Sequence, residues 1–202
     1  MLIRTKIRYY FYIFAPANSS NIGLMKEIRL LDKKFREFLT EEVIQQRIEE
    51  LASQVNDDLS GKEVVFLGIL NGAFLFAADL FRRINFPARI SFIKLASYQG
   101  TSSQGLIKEL IGWNEDINNK IIVVIEDIVD TGNTLERIVD ELAIRKAAEV
   151  RIAALLYKPD AYTKNIPLHY IGFEIPNDFV VGFGLDYDGF GRNLPSVYTL
   201  MK

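Results

Sequence analysis

Residues 121 to 142 restrict the fold more than any other part of the chain. Ile121, Ile122, Val123, Val124 and Ile125 form an unbroken β-branched run, the composition of a parallel strand covered on both faces. Leu135, Ile138, Val139 and Leu142 follow at i, i+3, i+4 and i+7, so a helix begins a few residues later. Between the two stand Glu126, Asp127, Ile128, Val129, Asp130, Thr131, Gly132, Asn133 and Thr134. This loop therefore lies at the carboxyl end of a strand and the amino end of a helix. The free N–H groups of the first helical turn and the helix dipole favour a phosphate there. The Thr131 and Thr134 hydroxyls add donors, and Gly132 lets the backbone come close. The carboxylates need other work: Glu126 and Asp127 accept from sugar hydroxyls or meet a metal, and Asp130 reaches further along as a base. A capped βα turn of the ordinary kind, common in α/β proteins, has the same outline.

The flanking sequence extends the pattern. Thr40 caps a helix with Glu41 and Glu42 in its first turn and an apolar stripe of Ile44, Ile48, Leu51 and Val55. Strands are predicted at residues 64–70, 90–97, 121–125, 150–157, 170–175 and 180–185, with a helix over 74–84. An α element followed by alternating β and α implies an α/β fold with a mainly parallel twisted sheet flanked by helices. Ligands bind such sheets at the carboxyl ends of the strands.

The 202 residues are the size of one domain, and 49% hydrophobic content supplies a sizeable core. A formal net charge of -2, mixed in sign, gives no general attraction to nucleic acid or an anionic membrane. No apolar run reaches transmembrane length. Without cysteine there is no disulfide, thiolate metal site or Cys nucleophile, which is compatible with the cytoplasm. Arg4, Lys6 and Arg8 precede an aromatic run at 9–14 that imitates a signal peptide but is too short and too rich in Tyr. Residues 1–24 are read as a disordered leader or an over-extended start, and 25–202 as the domain. His169, the single histidine, has no triad partners in the sequence and is read as structural or exposed.

The run ending in Thr134 resembles the phosphoribosyl-diphosphate (PRPP) signature of the type I phosphoribosyltransferases. That pattern is four apolar residues, two acidic, two apolar, Asp, Thr or Ser, Gly, one variable residue and Thr, and every position is matched. A second resemblance covers residues 175–192, which look like the purine-binding hood of the hypoxanthine-guanine members. Together the likeness spans roughly Lys26 to Lys202. It implies a small hood, built from about 159–202 plus the N-terminal segment, set on the parallel sheet.

The resemblance also implies roles. Glu126 and Asp127 meet the ribose hydroxyls and magnesium, Asp130 accepts the proton from the purine N7, and Thr131, Gly132, Asn133 and Thr134 anchor the 5'-phosphate. Lys158 donates to the O6 of a 6-oxopurine, Phe179 stacks on the base, and Val180 offers backbone groups to its edge. Asp186 helps hold Mg2+, and Arg192 meets the pyrophosphate. Asn71 and Gly72 occupy a loop that usually reads Leu-Lys-Gly, where the N–H of a non-proline cis peptide binds pyrophosphate. Ser97 and Tyr98 begin what is, in the family, a mobile loop that shields the reacting centre. The implied activity is purine salvage by a homodimer or homotetramer: PRPP with hypoxanthine or guanine gives IMP or GMP and pyrophosphate. A non-catalytic PRPP-sensing regulator on the same fold is the alternative, although the chain carries no basic block for nucleic acid.

Overall fold

A two-residue turn at Leu31 and Asp32 folds the start of the described chain into a hairpin of β1 (Glu27–Leu30) and β2 (Lys33–Leu39). The computed structural model describes residues 26–96, 108–111 and 115–201. After the hairpin come α1 (Glu41–Leu59), β3 (Val64–Leu70), α2 (Phe74–Phe81), β4 (Arg89–Ala96), β5 (Lys108–Ile111) and β6 (Ile121–Val129). The chain continues through α3 (Asn133–Ile144), β7 (Glu149–Tyr157), β8 (Tyr170–Glu174), β9 (Val180–Val181) and β10 (Val197–Leu200). Six strands form the larger sheet in the order β5-β4-β3-β6-β7-β8, all parallel except β5. A smaller antiparallel sheet has the order β1-β2-β10-β9.

The β-branched run at 121–125 is buried on both faces because helices cover both. Val123 and Ile125 point into a cluster with Ile44, Ile48 and Leu51 of α1 and Phe76 of α2. Ile122 and Val124 point the other way, against Leu135, Ile138 and Leu142 of α3. Thr40 caps α1 as its sequence suggests, its hydroxyl accepting from the Val43 N–H at 3.4 Å. The small sheet is tied to this core on one face through Val180 and Val197, and it has its own cluster of Phe35, Val181 and Tyr198 on the other.

Four local readings are corrected. The central strand does not stop at 125 but runs to Val129, since Ile128 and Val129 continue the ladder opposite Leu156 and Tyr157. Glu126 and Asp127 are therefore strand residues. The strand expected at 180–185 is only Val180–Val181, after which Gly182, Phe183 and Gly184 all take positive φ and turn the chain. The helix expected over 74–84 ends at Phe81. The described chain opens with the hairpin, not with a helix. Among the described residues, no helix is long and apolar enough to cross a membrane.

Candidate active site

The carboxyl end of β6 carries the first part of the site. Glu126 is buried and its Oε2 has no hydrogen-bond partner. Burial, and after it the neighbouring Asp127 charge, holds the Glu126 carboxyl well above the usual carboxylate range. Asp127 keeps some exposure but is crowded by protein, and that desolvation pushes its carboxyl up to about 6. The Ile128 N–H, donating to Oδ1 at 2.9 Å, and the Arg192 charge oppose the shift.

Past Val129 the chain leaves the sheet at Asp130. Its Oδ2 lies 3.0 Å from Nζ of Lys158, the residue that follows β7. The lysine is buried and the carboxylate is half exposed. Adjacent strands make this meeting possible: the Lys158 N–H bonds to the Val129 carbonyl at 2.9 Å. The two side chains are thus held at neighbouring strand ends.

Gly132 then takes φ 86 and caps α3 without a side-chain bond. The left-handed conformation suits a residue with no Cβ. A pocket lies over this turn, lined by Glu126 and residues 128–135. The uncapped first turn of α3 borders the same space, so N–H groups and the hydroxyls of Thr131 and Thr134 are available to an anion.

A second loop faces the carboxylates. The Leu70–Asn71 peptide is cis, and Gly72 is so close to Asp127 that an added Cβ would overlap the carboxylate. On its other side a Cβ on Gly184 would overlap the Gly72 carbonyl. The Gly184 carbonyl in turn accepts from Arg192 Nη1 at 2.7 Å. Arg192 Nη2 pairs with Asp186 Oδ1 at 2.6 Å, and Asp186 Oδ2 accepts from the Gly189 N–H at 2.6 Å. Asp127, the 71–72 loop, Gly184 and Arg192 are consequently one packed series.

Phe179 is 44% exposed and therefore has ring face to offer. Its neighbours are Phe35, at a ring-centre distance of 6.3 Å, and Tyr187, edge-on at 6.0 Å. Val180 follows it into β9. Sequence reading missed the support given by Phe35 and Tyr187, and it missed Gly184. A glycine every second residue at 182 and 184 was the available sign of a turn. Ser97 and Tyr98 lie outside the described residues, as do residues 1–24. His169 is exposed, and its Nδ1 accepts from the Ile152 N–H at 3.1 Å.

Among the described residues no three acidic or histidine side chains converge as a metal cage. The unpartnered Glu126 Oε2 beside Asp127 fits a different arrangement, in which a hard cation takes one or two carboxylates and completes its shell with substrate oxygens. Both oxygens of Asp186 are engaged, so it fits that ion less well than Glu126 and Asp127 do.

Residues 36–188 match the phosphoribosyl transferase domain. The hypoxanthine-guanine phosphoribosyltransferase of Mycobacterium bovis is 41% identical over 169 residues, covering 80% of this chain and 84% of that protein. That of Staphylococcus aureus is 42% identical over 163 residues, covering 80% and 91%. A crystal structure of a Staphylococcus aureus hypoxanthine phosphoribosyltransferase superposes with a TM-score of 0.77 at 42% identity, covering 82% of this chain and 90% of that one.

Proposed function

The chain belongs to the phosphoribosyltransferase family, and from that premise we infer that it is a purine-salvage enzyme. It transfers the 5-phosphoribosyl group from PRPP to hypoxanthine or guanine, giving IMP or GMP and pyrophosphate. This makes it a pentosyl-transferring glycosyltransferase. The observation that carries the purine half is the 3.0 Å pair of Lys158 and Asp130. A 6-oxopurine presents an O6 acceptor next to an N7–H donor, and an ammonium beside a carboxylate is the complement of that edge. Adenine has an amino group at the same place, a donor set against the lysine's donor, and that amino group would be left without a partner.

Each group then has one task. The first turn of α3 with Thr131, Gly132, Asn133 and Thr134 receives the 5'-phosphate, and Glu126 and Asp127 receive the ribose hydroxyls. The orphaned Glu126 Oε2 supports this assignment, because a buried oxygen without a partner is costly until a ligand supplies one. Phe179 stacks on the base while Val180 offers backbone groups to its edge. Arg192 and the loop of Asn71 and Gly72 face the diphosphate; Asn71 brings no cation of its own. As the C1'–oxygen bond to pyrophosphate breaks and N9 attacks C1', Asp130 takes the N7 proton. Glu126 and Asp127, together with substrate oxygens, would hold a magnesium ion, which would supply positive charge for the diphosphate. Asp186 would join those ligands by giving up one of its two bonds.

The expected assembly is a homodimer or homotetramer, and the expected compartment is the cytoplasm. Pyrophosphate release from PRPP, measured with hypoxanthine and with guanine, tests the reading. A PRPP-sensing regulator would bind PRPP and release none.

A further inference from the structure

We infer that Tyr162 and Thr163 are positioning residues for the 5'-phosphate loop, holding the Gly132 N–H toward the bound phosphate from outside the pocket. This rests on the phosphate role assigned above to residues 131–134. The chain leaving β7 turns back at once, the Ala161 and Tyr162 N–H groups both bonding to the Lys158 carbonyl at 3.1 Å. That turn delivers Thr163 to the phosphate loop. The Thr131 carbonyl there accepts two bonds, from the Thr163 N–H at 3.3 Å and from its Oγ1 at 3.1 Å.

In a planar trans peptide the carbonyl and the following N–H point in opposite directions. Holding the Thr131 carbonyl toward Thr163 therefore turns the Gly132 N–H away from Thr163. Thr131 and Gly132 line the pocket and Thr163 does not, so the N–H is turned to the pocket side. Two donors on one carbonyl resist a flip of that peptide, which would replace the N–H by an oxygen and repel a phosphate.

The two side chains that flank Thr163 close the back of the turn. A Cβ on Gly132 would stand 2.5 Å from Tyr162 Cε2 and 2.8 Å from Lys164 Cγ, so the glycine is held between them. The Tyr162 ring is fixed at both ends: its OH donates to the Ile166 carbonyl at 2.7 Å, and it meets Tyr157 edge-on at 5.5 Å. Lys164 Nζ pairs with Glu136 at 2.6 Å, in the first turn of α3, which lowers the negative field the phosphate would meet. The same short segment thus begins with Lys158, on the purine side, and ends by backing the phosphate loop.

The test uses ligands that differ in one group. IMP carries a 5'-phosphate and pyrophosphate does not. In the full-length enzyme, Thr163→Val keeps the shape and the backbone N–H but removes the hydroxyl donor. Its dissociation constant for IMP and its KM for PRPP should rise about two- to tenfold, the range for one hydrogen bond. Pyrophosphate affinity, the KM for hypoxanthine and kcat at saturating PRPP should stay within about twofold, and Thr163→Ser should restore IMP binding. Tyr162→Phe, which frees the ring from Ile166, should shift IMP binding in the same direction. Equal weakening of IMP and pyrophosphate would mean general loosening of the site and would overturn the proposal. Unchanged IMP binding in Thr163→Val would overturn it as well. Calorimetric titration keeps the two levels separate: wild-type protein that binds IMP without turnover would fail the catalytic reading while leaving this comparison intact.

Discussion

Lys158 and Asp130 pair at 3.0 Å, so a base that engages both must offer each a partner as good. Lys158→Ala removes the O6 donor. With about 1.5 to 3 kcal/mol for a charged hydrogen bond, kcat/KM for hypoxanthine should fall by about 10- to 150-fold in steady-state assays. PRPP affinity should change little; a loss confined to PRPP would remove Lys158 from the purine pocket. Asp130→Asn keeps the size and removes the proton acceptor, so turnover should drop on the order of 100-fold while PRPP titration stays normal. Turnover within a few-fold of wild type near neutral pH would refute that role. Asp127 supplies a pH signature. Its folded pKa of about 6 lies above the ordinary 3.8, so the associated stability is complete below about pH 3.8 and is lost as pH rises through about 6. The ionised form costs at most about 3 kcal/mol at neutral pH. In magnesium-free buffer, Asp127→Asn should melt higher than wild type at pH 8, with the gap closing toward pH 4.5. A gap of constant size would show that folding does not raise the Asp127 pKa.

At the scale of elements, legibility followed burial. The strand run at 121–125 and the stripe of α1 could be read because each buries a whole face, and burial leaves a periodic trace in composition. The hairpin β1–β2 left little trace. Each of its strands is half exposed, only Phe35 is fully buried, and its turn uses Leu31 at φ 52 in place of the Gly or Asn that would announce it. The overrun of β6 has a related cause: Glu126 and Asp127 resemble a strand end because carboxylates are expensive in a sheet, yet here they are strand residues presented to a ligand. Contacts such as Gly72 on Asp127 were beyond reading, since they join loops far apart in sequence. One element does need outside help. β8 is an edge strand, and Arg47 of α1 covers it by donating from Nε to the Gly172 carbonyl at 2.9 Å and from Nη2 to the Ile171 carbonyl at 2.8 Å. Arg47→Ala should lower stability by about 1 to 2 kcal/mol, seen as a fall in Tm of roughly 2 to 8 °C, with kcat unchanged. An unaltered Tm would show that water replaces the arginine at no cost.

The whole molecule joins a mainly parallel sheet, built from strands between residues 64 and 174, to a small sheet assembled from both ends of the described chain. Residues 1–24 have no part in the proposed chemistry, and their removal should leave Tm and the KM values for PRPP and hypoxanthine within error of the full-length chain. A loss of either would show that the segment packs on the domain. The small sheet has a consequence in time. β2 pairs with β10, about 160 residues later in the sequence. A ribosome adding roughly 5 to 20 residues per second therefore makes β2 about 8 to 30 s before its partner exists. Throughout that interval Phe35 and the rest of the β2 edge on that side await β10, so the aromatic platform that carries Phe179 is completed only after β10 has been made.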